Sequence, residues 1–195
     1  LARRLAAVEG ARTQHARADA ATQALILAVG QVRAQASTGL PFSKELDSLK
    51  TLAAERAGIA GPVEKIAAIA PSGAPTTAEL RRQFETVARA IAIAARAGDD
   101  ADWTERLKSR LFALVAIRRT DGGAAEGTPD ALTLAAETAL AAGDIAQAVA
   151  AVEKLSGPPA ASAREWLARA RARVQLDAAL ADLHAHAVAA LAGGG

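Results

Sequence analysis

In the stretch ALAAGDIAQAVAAVEKL, Ala139 to Leu155, two alanine-rich runs meet at one Gly-Asp pair. Gly143 suits the left-handed residue that closes a helix, and Asp144 suits the N-cap of the next. The pair predicts a helical hairpin with almost no loop, the unit of tetratricopeptide-type repeats. An array of such repeats needs a second copy about 34 residues away. Stepping back that far from Gly143 lands near Ser109, where there is no Gly-Asp turn with flanking alanines. Gly98-Asp99 lies 45 residues before Gly143, and its flanks differ. A repeat without neighbours cannot bury its face, so the hairpin is read as one corner of a different all-α domain.

The rest of the composition agrees with helix. The chain is 51% hydrophobic, much of it alanine, with aromatics at 3%, no Tyr, two Trp and three Phe. Alanine is the strongest helix former, followed by Leu, Arg, Glu and Gln. The expected architecture is all-α: helical hairpins and a long C-terminal helix forming a small bundle, with amphipathic lipid-binding-type helices in the middle. A core this poor in large side chains must bring its helices close together. The alanine- and arginine-heavy usage fits a GC-rich bacterial genome. Leu is first and Met is absent, so the chain is expected to be a piece of a longer protein. No signal peptide is recognisable. The longest apolar patch, near AIAIAA, falls far short of the about 20 residues a spanning helix needs. Zero cysteines exclude disulfides and thiolate metal sites.

Along the chain, Leu1, Leu5 and Val8 have coiled-coil spacing, while continuing it puts the polar Arg12, His15 and Asp19 in the seam, so residues 1–19 read as the frayed end of an upstream coiled coil. Residues 20–118 form a helical region. Its helices are expected from about Ala20 to Ser37, from an N-cap at Ser43, and from Val63 to Ala70, with Gly58 and Gly61-Pro62 bracketing a turn. Thr76 and Glu79 form a capping box for a helix running to about Gly98. There Leu80, Phe84, Val87 and Ile91 fall on one face, while Arg81, Arg82, Glu85, Arg89 and Arg96 lie largely off it. A further amphipathic helix is expected from Trp103 to about Ile117. Residues 119–130 read as a loop. Residues 131–192 form a C-terminal block: a helix from about Pro129 to Ala142, the second hairpin arm ending at Gly157-Pro158-Pro159, and a helix from Ser162 to about Leu191.

Little points to chemistry. His184 and His186 are two apart on a helix and face different ways; His186 has Asp182 four residues before it, but two ligands do not make a zinc site. No nucleophile elbow, P-loop or dinucleotide fingerprint occurs, so an enzyme is not expected, nor a cofactor or metal. Net charge is only +2, but from Trp103 to Arg119 Arg106, Lys108, Arg110, Arg118 and Arg119 oppose one acid, Glu105. Interleaved with Leu, Phe and Val, such a segment suits an anionic membrane surface. With the aromatics inside the apolar stripes, nucleic acid is not expected.

The ordered segments resemble the C-terminal part of the mitofilin family, the membrane-shaping subunit of the cristae-organising complex, which has alphaproteobacterial members. Gly143, Asp144, Ala148, Leu155, Gly157, Trp166, Leu167, Ala170 and Arg171 carry the C-terminal match, and Leu80, Arg81, Phe84 and Val87 a second one, with Gln83 where arginine is typical. Together they cover roughly residues 20–191. The resemblance implies an N-terminal membrane anchor and coiled coil outside this chain. It also implies a soluble part facing the periplasm at the bacterial inner or intracytoplasmic membrane. The two central segments would be lipid-binding, through Arg81, Arg82, Phe84, Val87 and Arg89, and through Trp103, Arg106, Lys108, Arg110 and Phe112. The C-terminal block would contribute to self-association, with Leu155, Trp166, Leu167 and Arg171 as candidates. Expected partners are anionic membrane, further copies of the chain, and outer-membrane β-barrel assembly machinery. The expected function is membrane binding and bending or organisation by amphipathic helices and self-assembly. The alternative is a tetratricopeptide-like adaptor or oligomerisation module that binds proteins without lipid contact. One stripe cannot face both a core and a bilayer, so the packing of Phe84 decides how its helix meets lipid.

Overall fold

The computed structural model describes residues 2–54, 57–101 and 127–192. Among the described residues there are seven helices and no strand: α1 (Ala2–Ser37), α2 (Ser43–Ala53), α3 (Ala57–Ala67), α4 (Thr77–Ala101), α5 (Pro129–Ala141), α6 (Ile145–Val152) and α7 (Gly157–Ala192). The all-α expectation holds. The helix expected from Trp103 and most of the loop at 119–130 lie outside the described residues.

The chain forms two compact units, and they are interleaved in sequence. Residues 1–76 and 172–195 make a terminal unit, and residues 77–171 a central one. This division cuts at other places than the linear 20–118, 119–130 and 131–192 segments.

In the terminal unit, Leu25, Val29 and Val32 of α1, Leu46 and Leu49 of α2, Ile59, Val63 and Ile66 of α3, and Leu176, Leu180 and Leu183 of α7 bury one shared core. Arg173 joins it by donating from Nη1 to the Ala36 carbonyl at 3.2 Å, while Nε reaches Asp177 at 3.0 Å. The Ala36 carbonyl belongs to the last turn of α1, where a cation is favourable. α1 starts well before Ala20, and residues 8–21 are exposed on every side.

Three local expectations are corrected. Ser43 is the first helical residue of α2, not its cap. Phe42 takes the cap position; its phenyl ring has no polar atom to cap with and is buried in the core instead. Gly58, Gly61 and Pro62 do not bracket a turn but lie within α3. Pro62 costs one backbone bond, yet Ile59, Val63 and Ile66 make a helical stripe that outweighs it. Pro158 and Pro159 open α7 rather than only ending α6, using the first-turn positions where a missing N–H costs nothing.

The Gly143-Asp144 corner forms as its chemistry dictates. Gly143 has φ +81°, and the Asp144 carboxylate accepts the Gln147 N–H at 2.9 Å. Thr128 caps α5 in the same way, accepting from Ala131 at 3.3 Å. In the central unit, Leu132, Ala136 and Leu140 of α5 and Ile145, Ala148 and Val152 of α6 are buried, with alanines admitting close helix approach.

Candidate membrane-facing site

α4 is strongly two-faced. Leu80, Phe84 and Ile91 are buried, and Val87 is half-buried. α5 packs along α4, and the first half of α7 covers Phe84 and Leu80. Trp166, 3% exposed, sets its ring 4.7 Å from that of Phe84 at 57°. Its indole N–H donates to the Leu80 carbonyl at 3.0 Å. Such a tilted pair is worth about 0.5–1.5 kcal/mol beyond the area it buries.

A polar bracket closes the edge of this contact. The Glu79 carboxylate accepts from Gln83 Nε2 at 2.9 Å and from Arg169 Nη2 at 3.2 Å. Both ionic partners are partly exposed, so the pair contributes at most about 1 kcal/mol. Gln83, at the position where the family resemblance leads one to expect arginine, is therefore turned to Glu79. An open groove of about 370 Å³ beside the bracket is lined by Thr86, Val87, Glu165 and Trp166 among others.

The opposite face of α4 is open. Arg81, Arg82, Arg89 and Arg96 are exposed there, with Glu85 as the one exposed acid of the helix's described side chains. Arg89 Nε donates to the Glu85 carbonyl at 3.2 Å. Ile93 stands on this face 67% exposed.

Of the lipid-contact candidates, the structure thus places Arg81, Arg82 and Arg89 at the surface, Phe84 inside the unit, and Val87 at the groove edge. Trp103, Arg106, Lys108, Arg110 and Phe112 lie outside the described residues. Of the self-association candidates, Leu155 and Trp166 are buried within the chain's own unit and Leu167 is half-buried. Arg171 is exposed and pairs with Glu153 at 2.8 Å. Arg96 and Ile93 were not among the candidates. Ile93 is recoverable by arithmetic: it follows Phe84 by nine residues, about two and a half helical turns, which puts it on the far side.

A second open feature lies between α5 and α6. A mainly apolar groove of about 770 Å³ is lined by Ala135 and Ala139 of α5 and its C-cap Ala142, by Ala150 and Ala151 of α6, and by Leu134, itself 62% exposed. Among the described residues no group of three side chains could hold a metal, and no helix is long and apolar enough to cross a membrane. His186 Nδ1 lies 2.8 Å from the Asp182 carbonyl rather than its carboxylate, which is 3.9 Å from Lys65.

The family model Mitofilin, described as a mitochondrial inner membrane protein, matches residues 3–188. The chain belongs to the mitofilin family. Among mitofilin-type relatives, the probable magnetosome protein Mms36 of Magnetospirillum gryphiswaldense is 32% identical over 170 residues, which is 84% of this chain and 46% of the relative. The MICOS complex subunit mic60 of Neurospora crassa is 31% identical over 170 residues, 85% of this chain and 25% of the relative. The MICOS complex subunit MIC60 of Sordaria macrospora is 30% identical over 163 residues, 82% and 24%. The chain therefore spans about half the length of the magnetosome relative and about a quarter of the fungal ones. No solved structure matches it.

Proposed function

We propose that this mitofilin segment adsorbs on anionic bilayer through the outer face of α4 and, in many copies, helps organise or bend the membrane. One observation carries the reading: α4 exposes Arg81, Arg82, Arg89 and Arg96 against Glu85, on the side away from the stripe that Trp166 covers. Each basic residue near an anionic surface is worth about 1 kcal/mol. Counted over the described exposed side chains alone, the surplus of three gives about 3 kcal/mol, a dissociation constant above about 1 mM per molecule, and Glu79, Asp99 and Asp100 bring the formal charge of the whole helix to zero. Binding that weak needs multivalency to act, which suits a protein working as an assembly. The reading places Phe84 behind the membrane contact as support. The relatives' names, a magnetosome protein and MICOS subunits, favour an inner or intracytoplasmic membrane. A periplasmic orientation and an outer-membrane β-barrel assembly partner belong to the same proposal, as does the exposed start of α1 as the end of a coiled coil.

Co-sedimentation with vesicles tests it. The chain is expected to pellet with vesicles containing phosphatidylglycerol, to stay in solution with phosphatidylcholine alone, and to be released as the Debye length falls to about 3 Å in 1 M salt. Arg82→Ala or Arg89→Ala should each weaken binding about fivefold. Wild-type chain left in the supernatant at low salt defeats the membrane reading.

The rival reading, an oligomerisation module without lipid contact, has the α5–α6 groove in its favour. Leu134 is an exposed knob beside an alanine-lined hollow, and Asp144 and Lys154 border that hollow at opposite ends of α6. Across a two-fold axis, knob would meet hollow and Asp144 would meet Lys154 of a second copy, the self-complementarity an isologous dimer needs. Light scattering should show a mass that rises with concentration in the wild type and stays monomeric in Leu134→Asp. A monomeric wild type at all concentrations removes this surface from consideration.

A further inference from the structure

We infer that the groove beside the Glu79–Arg169 bracket receives a single zwitterionic headgroup, an ammonium joined by a short linker to a phosphodiester, as in phosphatidylethanolamine; the inference rests on the membrane reading above. Three observations converge on it. Glu165 and Arg169 stand four apart on α7, the spacing at which a glutamate and a following cation ordinarily pair on a helix surface. Here they do not pair. Arg169 turns across to Glu79 on α4, and Glu165 is left exposed, with no hydrogen-bond or ion-pair partner among the described residues. Both side chains line the same groove of about 370 Å³. Second, exposed Thr86 and half-buried Ser162 bring hydroxyls to that groove from α4 and α7, while Val87 and buried Trp166 supply its apolar part. Third, Thr86 sets the groove on the flank of the charged face, with Arg82 four residues before it and Arg89 three after. A headgroup in the groove therefore lies beside the surface that the membrane reading lays on the bilayer.

The charge pattern selects a zwitterion. Glu79 and Arg169 cancel, which leaves one uncompensated carboxylate and a guanidinium with further N–H donors to spare. A purely anionic headgroup meets Arg169 but is repelled by Glu165. A lone cation meets Glu165 but faces Arg169, Arg82 and Arg89. A primary ammonium next to a phosphodiester satisfies both. The ammonium donates to Glu165 and a neighbouring hydroxyl, and the phosphate oxygens accept from Arg169. A choline headgroup carries the same charges, but its nitrogen has no N–H to give the carboxylate. The α5–α6 groove offers no such pair, because its Asp144 is already spent on the Gln147 N–H.

The free headgroup, glycerophosphoethanolamine, tests the groove without a bilayer. The indole N–H of Trp166 is the reporter in NMR spectra of the full chain, identified as the signal lost in Trp166→Phe. Its shift is expected to saturate with a dissociation constant on the order of 10 mM, to need about threefold more ligand in Glu165→Gln, and to be absent with glycerophosphocholine. Glu165→Gln, at an exposed position, should keep the wild-type melting curve. Vesicles test the source. At a fixed share of phosphatidylglycerol, replacing phosphatidylcholine by phosphatidylethanolamine should tighten wild-type adsorption about threefold and leave that of Glu165→Gln unchanged. On vesicles without phosphatidylethanolamine the variant should bind no more weakly than the wild type. A gain that persists undiminished in Glu165→Gln comes from bilayer packing and overturns the headgroup site. Free-headgroup binding without any gain on vesicles overturns the lipid as occupant, and an unmoved Trp166 signal overturns the groove. Wild-type chain that does not pellet on phosphatidylglycerol at all removes the membrane reading and the lipid occupant together, while the titration still decides the groove separately.

Discussion

Trp166→Ala is expected to destabilise the 77–171 unit by about 3–5 kcal/mol, the range for truncating a large aromatic core side chain. Trp166 ties α7 to α4: it is 3% exposed, touches the Phe84 ring and donates its indole N–H to Leu80. Removing it leaves a cavity beside Phe84 and Leu80 and takes away a hydrogen bond and a ring contact together. Trp166→Phe separates the two contributions. It keeps a ring against Phe84 and loses the hydrogen bond, which should cost nearer about 1 kcal/mol. Urea unfolding followed by circular dichroism gives both values from the shift in midpoint at constant slope. A Trp166→Ala midpoint equal to that of the wild type would mean that the indole does not hold α4 to α7.

Gly73→Ala is the second large effect, about 2–4 kcal/mol against the terminal unit. Gly73 has φ +70°, where an L side chain is strained. An added Cβ would also come within 2.7 Å of the Leu40 carbonyl carbon and oxygen, and closer still to the Gly39 carbonyl. These are backbone atoms, so no rotamer change relieves the clash. The crossing is held in place by neighbouring bonds, Phe42 N–H to Ala70 at 2.9 Å and Gly73 N–H to Ile69 at 2.8 Å. Gly30→Ala in α1 is the contrasting change: open space surrounds it, and the gain in helix propensity should stabilise by about 0.5–1 kcal/mol. Thermal melts of the two variants should move in opposite directions.

The sequence carried the helices better than their partners. Thr128, Gly143 and Asp144 sit where cap chemistry puts them, because capping is decided within four residues of chain. The apolar stripe of α4 was equally plain, but a stripe does not name what it faces. That was settled by Trp166, and by Arg169, which reaches Glu79 across 90 positions. The Trp166-Leu167 pair stood out only through likeness to a family, and burial in its own unit is not something spacing could supply. Ile93 was hidden for another reason. In the run AIAIAA, Ile91 and Ile93 look like one apolar patch, although two helical steps put them on nearly opposite sides. Gly61-Pro62 misled because punctuation by glycine and proline is a local signal, and the core that α3 completes is not local.

The interleaving of the two units bears on how the protein is made. Arg173 meets the Ala36 carbonyl across 137 positions, and Leu176, Leu180 and Leu183 complete a core begun by Leu25. A chain emerging from the ribosome at about 5–20 residues per second delivers the intervening 77–171 segment over roughly 5–20 s. For that time α1 to α3 have their own contacts but not their last wall, whereas the central unit has all of its helices once Arg171 has appeared. The insert can therefore finish first and bring the two ends of its host together. The apolar faces of α1 to α3 are thus sealed later than those of the central unit that follows them in the chain, and until then they are open to whatever chaperone or membrane lies nearby.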